Sequence, residues 1–166
     1  MKNISTPEAV KAFAVTALLS SPLACVPAHA QDVRTLSRIV PAYMNSLKQV
    51  YRSQAGQDII TGTQSSPNIA NRAYATIAKA IVRGRYDNLP YKTQYELLGC
   101  HFQDLSAFSG SLANQYQTNP SLPRFKAPFF AKISQDAARA SHDLQAIGYN
   151  ENCRQIRADF ATYLLR

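Results

Sequence analysis

Apolar residues recur at alternating steps of three and four along five stretches of this chain. That spacing is typical of helices that bury one stripe of their surface. The first stripe follows Asp32, a good N-cap, and Pro41 within it predicts a kink or a restart. No alternating strand pattern and no repeat is present, so the sequence predicts an all-α antiparallel bundle of four to five helices. The first stripe comprises Val33, Leu36, Val40, Tyr43, Leu47 and Val50.

The first two helices are expected to be joined by an irregular segment. Residues 53–66 lose the periodic pattern and predict a connecting loop, with Ile59 and Ile60 tucked back on the core. The second helix is expected to begin at Pro67, a favourable first-turn residue, and to end at Gly84.

The third helix is expected to be the central one, because apolar residues lie on more than one of its sides. Thr93 and Glu96 form a candidate capping box at its start. The breaker at residues 119–123 separates it from a fourth helix that begins near Pro128, and a short fifth helix begins around Cys153.

The first thirty residues predict a cleaved secretory signal. Lys2 and Lys11 precede an apolar run at residues 12–26, and Ala28-His29-Ala30 follows it. The run is interrupted by serine and proline and is too short for a membrane anchor. Residues 31–166 then remain as a single helical domain, located in the periplasm or secreted.

A lipid anchor at Cys25 is the alternative fate of this segment. Leu23-Ala24-Cys25 is similar to the bacterial lipobox, in which the cysteine is acylated, although Pro22 stands where an aliphatic residue is usual. Both alternatives predict export and neither predicts a stable membrane span.

Two cysteines remain once the signal is removed. An even pair in an exported chain predicts one disulfide, between Cys100 and Cys153. In the chain-entropy model a loop of that length stabilises the fold by about 4 kcal/mol. His101 adjoins Cys100, but neighbouring helical residues do not face each other, which argues against a catalytic thiol.

The histidines and carboxylates of the mature chain are few. His101 and Asp104 share a helix face and are expected to hydrogen-bond on a polar surface. Together with His142 and Asp143 they form a candidate metal set, but nothing in the sequence fixes the spacing between the two helices. No Gly-x-Ser-x-Gly elbow and no phosphate-binding glycine loop is present. The sequence therefore predicts no catalytic, cofactor-binding or metal-binding residues.

A haem carrier is the alternative among helical bundles. Exported four-helix bundles can hold haem between Met and His ligands, and Met44 is the one methionine after the signal. The last helix, however, contains no histidine. An unbranched residue that fills a gap in the core is the usual role of Met.

The chain is basic, with 18 Lys and Arg against 10 Asp and Glu. Export argues against nucleic acid as the partner, and leaves an acidic protein or an anionic envelope surface, or simply a solvated surface. The candidate partner-binding residues are Arg83, Arg85 and Tyr86 after the second helix, and Arg124 and Lys126 beside the breaker.

The stretch RGRYDNLP at residues 83–90, with YELLGC at residues 95–100, resembles a segment of the periplasmic immunity proteins that neutralise type VI secretion amidase effectors. The resemblance covers about twenty residues and implies a small exported helical protein that plugs an enzyme's cleft by loop insertion. The family pattern also places a cysteine in the first helix, where this chain has none.

We therefore expect an exported, non-catalytic helical binding protein, an inhibitor or immunity protein acting on an enzyme of the envelope. The alternatives are a bundle-type ligand or haem carrier and an accessory component of an envelope secretion or conjugation system.

Overall fold

The computed structural model describes residues 33–146 and 153–163, and six α-helices occupy them. No strand occurs within these two ranges. The all-α prediction is confirmed, while the signal predicted at 1–30, with Cys25, lies outside the described residues. The helices are α1 (Val33–Arg52), α2 (Gln54–Gln64), α3 (Ile69–Val82), α4 (Tyr91–Thr118), α5 (Ala127–Ala146) and α6 (Cys153–Tyr163), with a 3-10 helix at Arg124–Lys126.

Helix α1 runs through Pro41 as a single element. From Leu36 to Val50 the predicted stripe faces the core, and Tyr43 on it is half-buried. Ile39, Met44 and Tyr51 are buried as well, so the inner face is wider than the stripe alone indicated. These additional side chains allow α1 to pack against α2, α3 and α4 together.

Helix α2 occupies the segment that the sequence predicted as a loop, and that prediction is wrong. The Ser53 hydroxyl caps the helix by accepting a hydrogen bond from the backbone N–H of Gly56, at 3.1 Å. Ile59, Ile60 and Thr63 then form its buried face. Such a short helix is stable because its buried face packs against the bundle, while its glycines and threonines contribute little helix propensity of their own.

Helix α3 begins two residues after the predicted start. Asn68, rather than Pro67, precedes the helix, and its side-chain oxygen accepts a hydrogen bond from the backbone N–H of Ala70 at 2.8 Å. The predicted end is confirmed, because Gly84 adopts a φ of 69° just after the C-cap. That left-handed conformation favours glycine and terminates the helix.

Helix α4 is the longest helix of the bundle and its centre. It begins at Tyr91, directly after Pro90, so Thr93 and Glu96 lie inside its first turns and do not form the predicted capping box. It packs against α1, α2, α5 and α6. Its central position agrees with the apolar residues found on more than one of its sides.

Helices α4 and α5 form the most extensive helix pair. The Ser106 hydroxyl donates to the Ser134 carbonyl at 3.0 Å, and the rings of Tyr116 and Phe130 lie 5.1 Å apart. Residue numbers rise along α4 as they fall along α5, so the two helices are antiparallel. The breaker at residues 119–123 therefore forms the connection of a helical hairpin.

The disulfide joins α4 to the first residue of α6. Cys100 and Cys153 are bonded, with their Cα atoms 5.3 Å apart and a sequence separation of 53. Both cysteines are buried, and α6 packs on α3 and α4. The pairing predicted from cysteine number and export is confirmed.

The core is unusually rich in buried tyrosine. Tyr51, Tyr74 and Tyr86 are among the largest side chains that solvent does not reach, beside Phe102 and Phe130. Buried tyrosines require hydrogen-bond partners for their hydroxyl groups, so this core is partly polar. None of the helices within 33–146 and 153–163 has the length and apolarity needed to cross a bilayer.

Candidate interaction surfaces and the buried polar cluster

The turn between α3 and α4 is tied to its neighbours by hydrogen bonds. The Lys48 ammonium of α1 forms an ion pair with the Asp87 carboxylate at 2.6 Å. The Gln94 amide of α4 donates to the carbonyl groups of Asp87 and Leu89, at 3.2 and 2.7 Å. These contacts hold the turn in place while Arg83 and Arg85 project into solvent, where a partner could reach them.

Tyr86 was predicted to contact a partner, but the structure places it in the core. Its side chain is fully buried, and its ring packs edge-on against Phe160 of α6 at 5.1 Å between centroids. The aromatic residue of this turn therefore joins the turn to α6. Its proximity to two arginines in the sequence indicated a contact surface, but that proximity carries no information about burial.

The second group of basic candidates lies on the 3-10 helix. The Lys126 ammonium donates to the Asp58 carboxylate of α2 at 3.0 Å and lies 5.9 Å from the centre of the Tyr116 ring. The hydrogen bond to Asp58 raises the pKa of Lys126. Lys126 is thus engaged within the fold, whereas Arg124 is exposed.

The two basic groups form separate surfaces. Arg83 and Arg85 precede the N-terminus of α4, while Arg124 and Lys126 follow its C-terminus. Helix α4 has 28 residues, and at about 1.5 Å per residue it separates its two ends by roughly 40 Å. One small partner site cannot include both groups.

Two exposed aromatic side chains beside Arg124 were not identified from the sequence. Phe125 is 71% exposed and Phe129 is 40% exposed. The next residue, Phe130, is buried on the apolar stripe of α5 that Ala137, Ala140 and Leu144 also form. The sequence signal was available, because Phe129 falls off the stripe that Phe130 continues and Phe125 stands between two basic residues.

A cluster of polar and aromatic side chains is buried where α1, α3 and α4 meet. The His101 ring stacks on Tyr74 at 4.5 Å and lies 5.6 Å from Tyr51. The two tyrosine hydroxyl groups share a hydrogen bond of 2.6 Å. The imidazole atom Nε2 is buried with no hydrogen-bond partner among the described residues.

The expected pairing of His101 with Asp104 on a polar surface is wrong. His101 is buried, and the Asp104 carboxylate accepts hydrogen bonds from the Arg157 guanidinium of α6, one of them 2.7 Å long from Nε. The two residues are three positions apart on α4, but they meet different neighbours. His101 packs against α1 and α3, whereas Asp104 is bonded to α6. Arg157, from a distant part of the chain, forms the hydrogen bonds with Asp104 that the sequence spacing predicted for His101.

Burial controls the protonation of this cluster. Loss of hydration, with a smaller effect from the nearby Arg157 cation, lowers the pKa of His101 from 6.5 to about 3. Burial also raises the pKa of Asp104, and Arg157 opposes that increase. The imidazole is therefore neutral at physiological pH.

The candidate metal set does not gather in the fold. Within the described residues, no three His, Cys, Asp or Glu side chains come together as a group that could hold a metal ion. His142 is 82% exposed and adjoins Asp143, whereas His101 is in the core. Met44, considered as a haem ligand, is buried in the core cluster of α1.

Comparison with known protein families, with curated proteins and with solved structures finds no match. Function is therefore inferred from the geometry of the chain itself. The described residues present an arginine-bearing turn at one end of α4, an aromatic and basic segment at the other, and a buried polar cluster between them.

Proposed function

We propose that this chain is an exported, non-catalytic helical protein that binds a protein partner in the bacterial envelope, as an inhibitor or immunity protein of an envelope-acting enzyme. The signal predicted at residues 1–30 supports export. The Cys100–Cys153 pair supports the same compartment, because structural disulfides persist in oxidising environments.

The observation that carries the proposal is the exposure of Phe125 beside Arg124. A phenylalanine that is 71% exposed contributes little to the core of its own chain. Aromatic and arginine side chains are enriched where proteins bind one another. The segment therefore has the composition of a contact surface.

The state of the buried cluster favours binding over turnover. Asp104 is engaged by Arg157, and His101 is stacked between helices with its pKa far below neutrality. A general base must reach the proton that it removes from a substrate. These groups face the interior and support the fold.

The charge of the chain favours an acidic partner. Removal of residues 1–30 takes away Lys2, Lys11 and Glu8, so the formal net charge falls only from +8 to +7. Exposed arginines such as Arg83 and Arg124 attract an acidic protein before contact is made and increase the rate of encounter. We do not include nucleic acid among the partners, because an exported chain seldom meets it in a functional role.

Inhibition of an envelope hydrolase tests the proposal. The mature protein is purified from the periplasm and titrated into any hydrolase that is found encoded beside its gene, with purified peptidoglycan as the substrate. We expect hydrolysis to cease near one equivalent of the protein. Full hydrolysis at excess protein would contradict the proposal, as would hydrolysis by the chain itself that His101→Phe abolishes.

Two further observations separate the alternatives. A Soret band in the absorption spectrum of the purified protein would identify a haem carrier instead. A gene neighbourhood of pilus or secretion components, with no hydrolase, would indicate an accessory part of an envelope machine.

A further inference from the structure

We propose that Arg124, Phe125 and Phe129, here called the aromatic tip, insert into an apolar pocket rimmed by carboxylates on a folded protein partner. The inference rests on the proposed binding function and specifies which surface carries it. It also specifies the chemistry of the complementary site.

The apolar part of the tip consists of the two phenylalanine rings. Phe125 lies in the 3-10 helix and Phe129 in α5, which follows it directly. A separation of four positions along a helix places side chains on the same side. They are 71% and 40% exposed. Phe130 is buried against Tyr116, so the backbone beneath the tip is anchored to the core.

The tip is held in one conformation before any partner binds. Proline occupies positions 120, 123 and 128, which fixes the backbone φ angle at each of them. The backbone N–H of Lys126 donates to the Pro123 carbonyl at 3.0 Å, and the Lys126 side chain pairs with Asp58. A preordered segment loses little conformational freedom on binding, which favours a specific pocket.

The positive charge of Arg124 calls for negative charge at the partner's binding site. Lys126 pairs with Asp58 and Lys132 pairs with Asp136. Arg124 is exposed and forms no ion pair with any residue in the described ranges. A carboxylate at the rim of the partner's pocket would form an ion pair with Arg124 and accept two parallel hydrogen bonds from its guanidinium.

An anionic membrane is a weaker candidate than a protein as the binding partner of the aromatic tip. Recognition of acidic lipids by basic segments uses clusters of about four to eight Lys and Arg residues. The tip offers one uncommitted cation, because both nearby lysines are neutralised by carboxylates of the chain. Such a segment would partition only weakly onto lipid.

A second copy of this chain is also disfavoured. A two-fold interface sets the same surface patch on both subunits against itself. Arg124 would then lie in an interface with its own copy, in a chain that already carries a positive net charge. Like charges across an interface oppose association.

Photocrosslinking in intact cells tests the proposal. A benzoyl-phenylalanine is placed at position 125 or 129, or at Tyr91 as the matched control. Tyr91 is an aromatic residue with 39% exposure that begins α4 at the opposite end of the bundle. We expect positions 125 and 129 to crosslink one protein, at a site with apolar residues and acidic neighbours, and position 91 not to crosslink it.

The identified partner is then used in a purified binding assay. We expect Phe125→Ala and Arg124→Glu each to weaken binding at least tenfold. Arg139→Glu, a change of the same charge on exposed residue 139 of α5, should alter the affinity by less than twofold. Retention of full affinity by Phe125→Ala would overturn the assignment of the tip.

The remaining outcomes separate this inference from the proposed function. A crosslink from position 91 and not from 125 or 129 would overturn the tip and leave the binding function standing. A crosslink to a second copy, or binding to phosphatidylglycerol vesicles without any protein crosslink, would contradict the proposal that the tip binds a pocket on a different protein. Absence of both protein crosslinks and vesicle binding would overturn the tip and the proposed function together.

Discussion

His101 combines burial with a side chain that usually titrates near neutral pH. Its ring stacks on Tyr74 and lies near Tyr51, with Asp104 and Arg157 as the neighbouring charged residues. The interior excludes the protonated form, whereas the unfolded chain accepts the proton freely. Protonation of this one residue therefore opposes folding in acid.

Replacement of His101 by Phe should flatten the pH dependence of stability. Between pH 6.5 and about 3 the unfolded chain binds a proton that the folded chain does not, so stability falls as the pH falls. That slope approaches about 1.4 kcal/mol per pH unit once the pH is well below 6.5. Urea unfolding at pH 7, 6 and 5 measures how the free energy of unfolding changes with pH. We expect the His101→Phe variant to lack the contribution of His101 to that change.

His142→Phe is the matched control, because His142 is 82% exposed. It should keep the slope of the unmodified protein. The raised pKa of Asp104 acts in the opposite direction, favouring the folded state at low pH, and is present in both variants. Equal slopes in the two variants would show that His101 is not the titrating group.

At the scale of helices, the junction of α1 and α2 depends on a close approach of two backbones. A Cβ atom added at Gly56 would lie 2.0 Å from the Val50 carbonyl oxygen and 2.7 Å from the Tyr51 Cα. Both contacts are with backbone, which cannot move aside as the end of a flexible side chain can. The glycine is therefore required for the angle at which α2 leaves α1.

Gly56→Ala should destabilise the fold by about 3 kcal/mol, at the upper end of the range for overpacked sites. Gly62→Ala, on the same helix, is the control, since its Cβ would meet no atom within 4 Å. That variant should gain up to about 1 kcal/mol from helix propensity. Chemical denaturation of both proteins measures the difference, and similar stabilities would contradict the close approach.

Local periodicity predicted the helices that carry long apolar stripes. α1, α3, α4 and α5 were each recognised because their apolar residues repeat over several turns, which is information contained within the helix. α2 was missed because its buried face is only a few residues long and depends on Gly56 meeting α1, a contact that spacing does not encode. Helix ends were less well predicted, because α3 begins after its cap Asn68, two residues beyond the predicted start at Pro67.

The candidate site was less accessible to sequence reasoning. Arg124 was identified from charge, but Phe125 and Phe129 were missed and Tyr86 was misplaced, since aromatic residues serve both cores and contact surfaces. The pairing of Asp104 with Arg157 joins residues 53 positions apart. No local pattern reports which of several arginines will reach a given carboxylate.

At the scale of the whole molecule, α6 is attached to the bundle by three kinds of contact. The Cys100–Cys153 bond fixes the first residue of α6. Further along α6, Arg157 forms an ion pair with Asp104 of α4. Phe160, also in α6, packs on Tyr86 of the turn between α3 and α4. The helix is only 11 residues long, and an isolated helix of that length is marginal in water. Its position therefore depends on these attachments.

Loss of the disulfide should lower the stability of the whole fold. The Cys100→Ser, Cys153→Ser double variant is expected to lose about 4 kcal/mol, the value of the long loop that the bond closes. The midpoint of urea unfolding measures the loss. Reduction of the unmodified protein should reproduce the shift, and an unchanged midpoint after reduction would mean that the bond does not constrain the unfolded chain.

The disulfide also encloses the aromatic tip, because residues 124–129 lie between Cys100 and Cys153 in the sequence. A protease that cleaves after Arg124 would divide the chain into two polypeptides and yet leave them covalently joined. The nicked protein would remain one molecule, heavier only by the added water, until a reductant was added. This exposed segment therefore lies where a break in the backbone does not separate the molecule.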